Sequence, residues 1–143
     1  MQIIDRSEFL QASLSNGLAV VAVPNDRIHY FGLAAFIGMG PRLEPVVHTG
    51  ISHFIEHLLF QGSRNYPTGL ELTQAVDRVA GHILAATSQE VTQIGLMVHH
   101  KYWREALDIL ADVLLHPSFD PARLEQEKRI VLEERAEFHD QAQ

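Results

Sequence analysis

Residues 53–57 read His-Phe-Ile-Glu-His, and no other stretch constrains this chain as tightly. On a helix, residues four apart share a face, so His53 and His57 can offer imidazole nitrogens to one ion from successive turns. Glu56 then sits beside that ion, placed to take a proton from a metal-bound water whose pKa has been pulled towards neutrality. Ile51 before the motif and Leu58, Leu59 and Phe60 after it predict a buried apolar helix over about residues 50–61. Two imidazoles and a carboxylate on such a helix are costly to desolvate unless they are paired or bound to a cation.

A catalytic zinc site typically takes three protein ligands and leaves a fourth position for water. With no cysteine in the chain, the third ligand must be His, Asp or Glu. The last helix is the best-marked place to look. Asp120 and Pro121 read as N-cap and first helical residue, predicting a helix over about residues 121–139. Leu124, Glu127, Val131, Glu134 and Phe138 fall on one stripe of it, so two glutamates interrupt a core-facing seam, whereas Glu133 falls on the opposite, solvated face. Two inward carboxylates need a compensating cation and two inward imidazoles need a metal or donors, so each half of the problem answers the other.

At this point the residues carry a family likeness. The motif His53-Phe54-Ile55-Glu56-His57 followed by a distal Glu134 in Arg129-Ile130-Val131-Leu132-Glu133-Glu134 resembles the pitrilysin and mitochondrial-processing-peptidase family of metallopeptidases, M16. Leu14-Ser15-Asn16-Gly17-Leu18, Gly40-Pro41-Arg42-Leu43-Glu44, Gly50-Ile51-Ser52, Phe60-Gln61-Gly62-Ser63 and Thr87-Ser88-Gln89-Glu90-Val91-Thr92 are similar to it as well. The resemblance implies one zinc ion per chain held by His53, His57 and Glu134, Glu56 as general base, and Glu127 as a second acidic residue supporting the site. Glu134 lies 77 positions after His57 (134 minus 57), so only a folded domain can assemble that set. One departure stands out: the family usually has Asn-Ala-x-Thr on the strand beside its active site, and this chain has Leu84-Ala85-Ala86-Thr87.

The activity implied is that of an inverzincin, a zinc endopeptidase hydrolysing small or unstructured polypeptides. The alternative is a non-catalytic M16-like partner or assembly subunit, or a peptide-binding module, that keeps the metal site. Expected partners are a peptide substrate and a complementary M16 domain or subunit, or a second copy of the chain. The 143 residues read as one domain, the N-terminal, metal-bearing portion of an M16-type peptidase domain, either a piece of a longer protein or an abbreviated member.

Composition excludes several other classes. A net charge of −7 without a basic stripe speaks against nucleic acid and anionic membranes. No stretch is long and apolar enough for a membrane span and no signal peptide is visible at the start, which makes a cytoplasmic location the default. S-ribosylhomocysteinase also carries H-x-x-E-H but needs cysteine, of which there is none.

The remaining pattern predicts an α+β fold with a mainly antiparallel sheet packed against helices, an M16-type, mitochondrial-processing-peptidase-like half-domain. A hairpin over residues 8–15 and 18–23 turns at Asn16-Gly17, and a third strand covers residues 30–37. A helix opens with the capping box Thr68-Gly69-Leu70-Glu71 and stops at Gly81. Strands near residues 82–87 and 92–98 lead to a helix over about residues 101–115, for which Trp103, Leu107, Leu110 and Leu114 suggest the core stripe. His99 and His100 are expected in a wet loop before it, and His48 and His82 are left outside the ligand set.

Overall fold

The computed structural model describes residues 3–5 and 9–141. It contains two antiparallel three-stranded sheets and four α-helices. In the first sheet, strand β1 (Ile3–Asp5), which the sequence pattern does not signal, pairs with β2 (Leu10–Ser13), and β2 pairs with β3 (Ala19–Ala22). The turn joining β2 and β3 is the expected one at Asn16-Gly17, closed by the Leu18 N–H donating to the Asn16 side-chain oxygen at 3.1 Å.

The second sheet carries the core. Strand β4 (Tyr30–Ile37) has the predicted bounds, and β5 (His82–Thr87) and β6 (Thr92–His99) follow it in the order β4-β6-β5. Along β6, Ile94, Leu96 and Val98 alternate onto one face, opposite Ala35, Leu33 and Phe31 of β4 and Ala85 and Ile83 of β5. Helices cover that face, where Ile94, Leu96 and Val98, with Phe31, Leu33 and Ile83 packed against them, join a buried cluster with Leu59, Leu72, Val76, Ile109 and Val113. Burial of each large aliphatic side chain there contributes about 1.5–3 kcal/mol. The opposite face carries Phe36, Ala34, Met97 and Ala86 and is exposed.

Helix α1 (Ile51–Leu59) contains the H-x-x-E-H pattern and packs on β5 and β6. It is only partly covered: Ser52, Leu58 and Leu59 are buried, while His53, Phe54, Glu56 and His57 are half-buried, which corrects the expectation of a core helix. Helix α2 (Gly69–Arg78) has the expected capping box, with Thr68 and Glu71 bonded reciprocally, worth about 1 kcal/mol. Its last turn is closed by Ala80 in the left-handed region, whose neighbour Gly81 donates its N–H to the Val76 carbonyl at 2.9 Å, so the stop falls one residue before the predicted one.

Helix α3 (Trp103–Leu115) buries Ala106, Ile109, Leu110, Asp112 and Val113. Trp103 and Leu107 are exposed, so the predicted core stripe is rotated towards solvent and only Leu110 and Leu114 of it pack inward. His99 ends β6 half-buried and caps the 3-10 turn at His100–Tyr102, accepting the Lys101 N–H, in place of the expected wet loop. Helix α4 (Pro121–Gln141) starts where Asp120 and Pro121 predict and lies against α1. Phe138 of its expected stripe lies outside the residues whose side chains are described. Among the described residues no helix is long and apolar enough to cross a membrane.

Candidate active site

The site forms where α4 crosses α1 above the end of β5. Helix α1 is held at both ends. Its N-cap is Gly50 at φ 96°, a left-handed conformation that a Cβ would strain. The orphan N–H groups of its first turn are taken by a carboxylate six residues upstream, with Glu44 accepting from Gly50 N–H at 2.6 Å and Ser52 N–H at 2.8 Å. At the other end, Arg123 of α4 donates to the Gln61 carbonyl at 2.8 Å. The loop beyond is tied to α3 by buried Asp112, which accepts from Asn65 N–H at 2.9 Å and Asn65 Nδ2 at 3.1 Å.

His53 and His57 meet on the face of α1 that α4 covers, with the rings edge to face and their Nε2 atoms 3.1 Å apart. Glu134 brings Oε2 to 3.5 Å from His57 Nε2 and 3.8 Å from His53 Nε2. These three ligand atoms lie within 4.8 Å of one another. Ligands held tetrahedrally about 2.0–2.2 Å from one zinc ion stand about 3.3–3.6 Å apart. Two borderline-soft nitrogens and one carboxylate oxygen on such a triangle suit zinc, and they leave room for a fourth ligand on the solvent side, where the His53 and Glu134 side chains are 42% and 47% exposed.

Glu127 lies on the other side of the same imidazole. Its residue is 5% exposed, and its Oε2 stands 3.3 Å from His57 Nδ1. If Nδ1 carries the proton, the buried carboxylate fixes the tautomer and turns the Nε2 lone pair towards His53 and Glu134. Glu56 projects from α1 towards the sheet, where one carboxylate oxygen accepts a hydrogen bond from the Thr87 hydroxyl of β5.

The structure brings His53, His57, Glu134 and Glu127 together, places Glu56 on the same helix with its carboxylate on Thr87, and leaves Glu133 exposed as expected. Glu134 is less enclosed than an inward seam implies: it reaches the imidazoles from the rim. No contact brings His48 or His82 to the group; both are exposed. Sequence reasoning missed the parts played by Glu44, Asp112 and Thr87. Asp112 had a usable signal, an acid on the Ala106, Ile109, Val113 stripe of α3, whereas Glu44 bonds a helix it does not belong to and leaves no spacing to read.

Leu84 is half-buried and pairs with Gly95, so alternation along β5 sends its side chain to the face opposite Thr87. His99, at the end of β6 remote from Thr92, is held below the ordinary imidazole range by lost solvation, then by the charges of His100, Lys101 and His29.

An α+β domain with one-sided sheet, a two-turn helix bearing H-x-x-E-H and a distal helix bearing the third acid defines a class of metallopeptidase folds. Residues 20–143 match the insulinase family, peptidase family M16, and the chain belongs to that family. Similar proteins include an uncharacterized zinc protease, YmxG, of Bacillus subtilis, 35% identical over 87% of this chain and 30% of its own length. Human insulin-degrading enzyme is 32% identical over 89% of this chain and 12% of its own. A crystal structure of a protease from Helicobacter pylori superposes with a TM-score of 0.81 at 28% identity, over 87% of this chain and 30% of that one. The chain thus spans about a third or less of the length of these relatives.

Proposed function

We propose that this chain is the metal-bearing part of a zinc endopeptidase that hydrolyses small or unstructured polypeptides. The observation that carries the reading is the convergence of His53 Nε2, His57 Nε2 and Glu134 Oε2 with Glu56 on the same helix beside them. His53, His57 and Glu134 would hold one zinc ion, which when bound supplies Lewis acidity to the scissile carbonyl and acidifies a water. Glu56 takes the proton from that water and returns it to the leaving nitrogen. Glu127 orients His57. The edge of β5 that is unpaired among the described residues takes an extended peptide as an added strand, so main-chain bonding gives a loose sequence preference.

Because 143 residues cover so little of the relatives' length, we infer that the chain works with a complementary M16 domain or subunit. Alone, it should bind zinc and turn over peptide weakly, since positioning and exclusion of water contribute several kcal/mol, about a thousand-fold or more in rate. Leu84, where the family usually has asparagine, favours a second reading, a non-catalytic partner subunit that keeps the metal. Glu56→Gln separates the two. It should retain zinc by elemental analysis and abolish hydrolysis under the first reading, and leave any function intact under the second. Loss of zinc as complete as in His57→Ala would contradict the role of Glu56.

A further inference from the structure

We infer that Thr87 is a positioning residue for Glu56, so that the strand offered to the substrate also aims the general base. The inference rests on the zinc peptidase reading above. Glu56 reaches out of α1 on a side chain whose rotamer freedom costs about 1.5–2 kcal/mol to fix. Among the described residues, its side chain has one hydrogen-bond partner, the Thr87 hydroxyl. A charge-assisted bond of that kind is strong enough to select a single orientation. It occupies one carboxylate oxygen and leaves the other for water.

Thr87 is itself over-determined. Its backbone pairs with Thr92 at the last rung of the β5–β6 ladder, and the turn beyond is closed by Ser88 N–H donating to the Val91 carbonyl at 2.8 Å. Buried Thr92 donates to the Met39 carbonyl at 2.9 Å, so towards Thr87 Oγ1, 3.4 Å away, it can only accept, and the nearer, charged carboxylate of Glu56 outcompetes it for the Thr87 proton. The turn is also clamped from above. Arg42 donates its N–H to the Gln89 carbonyl at 2.9 Å and its guanidinium to Glu90 at 2.5 Å, and a Cβ on Gly40 would stand 2.3 Å from the Ser88 carbonyl oxygen. The segment that makes these contacts continues into Glu44, which caps α1. Helix and strand are thus registered by one loop, and Thr87 to Glu56 is the bond across the register.

The test uses zinc-loaded protein and acetohydroxamate, which chelates zinc and can hydrogen-bond a neighbouring carboxylate, so affinity reads the placement of Glu56 without turnover. Thr87→Val keeps the β-branch and removes the hydroxyl. It should weaken acetohydroxamate about ten-fold or more, the equivalent of one charge-assisted hydrogen bond, with zinc affinity unchanged. Thr87→Ser should restore most of that loss. In a Glu56→Gln background, Thr87→Val should add nothing, because its partner is already gone. In any form of the protein that turns over peptide, Thr87→Val should lower kcat and spare KM. Undiminished acetohydroxamate binding by Thr87→Val, or an equal loss with and without Glu56, overturns the inference. If Glu56→Gln leaves turnover intact, the base assignment falls and the inference with it; if Glu56→Gln is dead and Thr87→Val silent, only the inference falls. A variant that merely lowers the unfolding temperature, with both affinities unchanged, also counts against it.

Discussion

Glu127 and Glu134 stand two turns apart on α4 and bracket a single imidazole, one reaching His57 Nδ1 at 3.3 Å and the other His57 Nε2 at 3.5 Å. Their surroundings differ sharply. The Glu127 side chain is 7% exposed and lies one turn from Arg123, which bonds the end of α1; the Glu134 side chain is 47% exposed and lies two turns further out. A buried carboxylate needs a donor, and a proton on His57 Nδ1 would supply it. The rim carboxylate of Glu134 faces two ring nitrogens from a position open to solvent, where a shared cation would stabilise it. The start of α4 is therefore fixed by contacts within the protein, whereas its turn at Glu134 stands open to solvent on the rim of the site.

The most severe way to break this comparison is Glu134→Gln. If the outer acid is a ligand, zinc affinity should fall about a hundred-fold or more, roughly 3 kcal/mol, measured by competition with a chelator. The same change at Glu133, on the exposed face, should leave affinity within about two-fold. Equal retention of zinc by both variants would remove Glu134 from the ligand set.

Glu127→Gln should have a smaller effect, about ten-fold in zinc affinity, because the amide oxygen still accepts from His57 but the charge that raises ligand basicity is gone. The signs of stability should also differ between the two acids. Metal-free Glu127→Gln should unfold at a lower temperature than the metal-free parent, since a buried partner is weakened, whereas metal-free Glu134→Gln should not. Scanning calorimetry in chelator reads this difference. A matching loss in both would mean that the two ends of α4 are equally built into the fold.

Most of this arrangement was legible because its information is periodic. The four-residue spacing of His53 and His57, the three-and-four spacing of Leu124, Glu127, Val131 and Glu134, and the Thr68 capping box each encode a face or an end of one element. What could not be read depends on how elements are stacked. Trp103 and Leu107 have the spacing of a core stripe, yet Ala106, Ile109 and Val113 take the interior, because two overlapping apolar stripes run along α3 and spacing alone does not say which of them meets the sheet. The carboxylate of Glu44 and the hydroxyl of Thr87 act across loops, with no local pattern to betray a partner. Even the degree of burial at the site was misjudged, since apolar neighbours of His53 say that α1 packs on something but not how much of its other side stays open.

The smallest effect is expected at Leu84, and it sharpens the comparison from the substrate side. The family resemblance puts an asparagine at this position, and its loss suggests weakened peptide affinity. In the structure, however, the side chain at residue 84 lies on the face of β5 away from Thr87, Glu56 and the two imidazoles. A peptide added to the β5 edge gains its affinity mainly from main-chain bonds, which substitution at Leu84 leaves in place. Leu84→Asn should therefore leave zinc affinity unchanged and tighten a bound peptide at most few-fold, about 1 kcal/mol for one new hydrogen bond. Isothermal titration of an extended peptide against zinc-loaded protein, in the parent and in Leu84→Asn, gives the number. A change in zinc affinity, or a gain in peptide affinity as large as the loss in Glu134→Gln, would mean that β5 presents its other face to the metal.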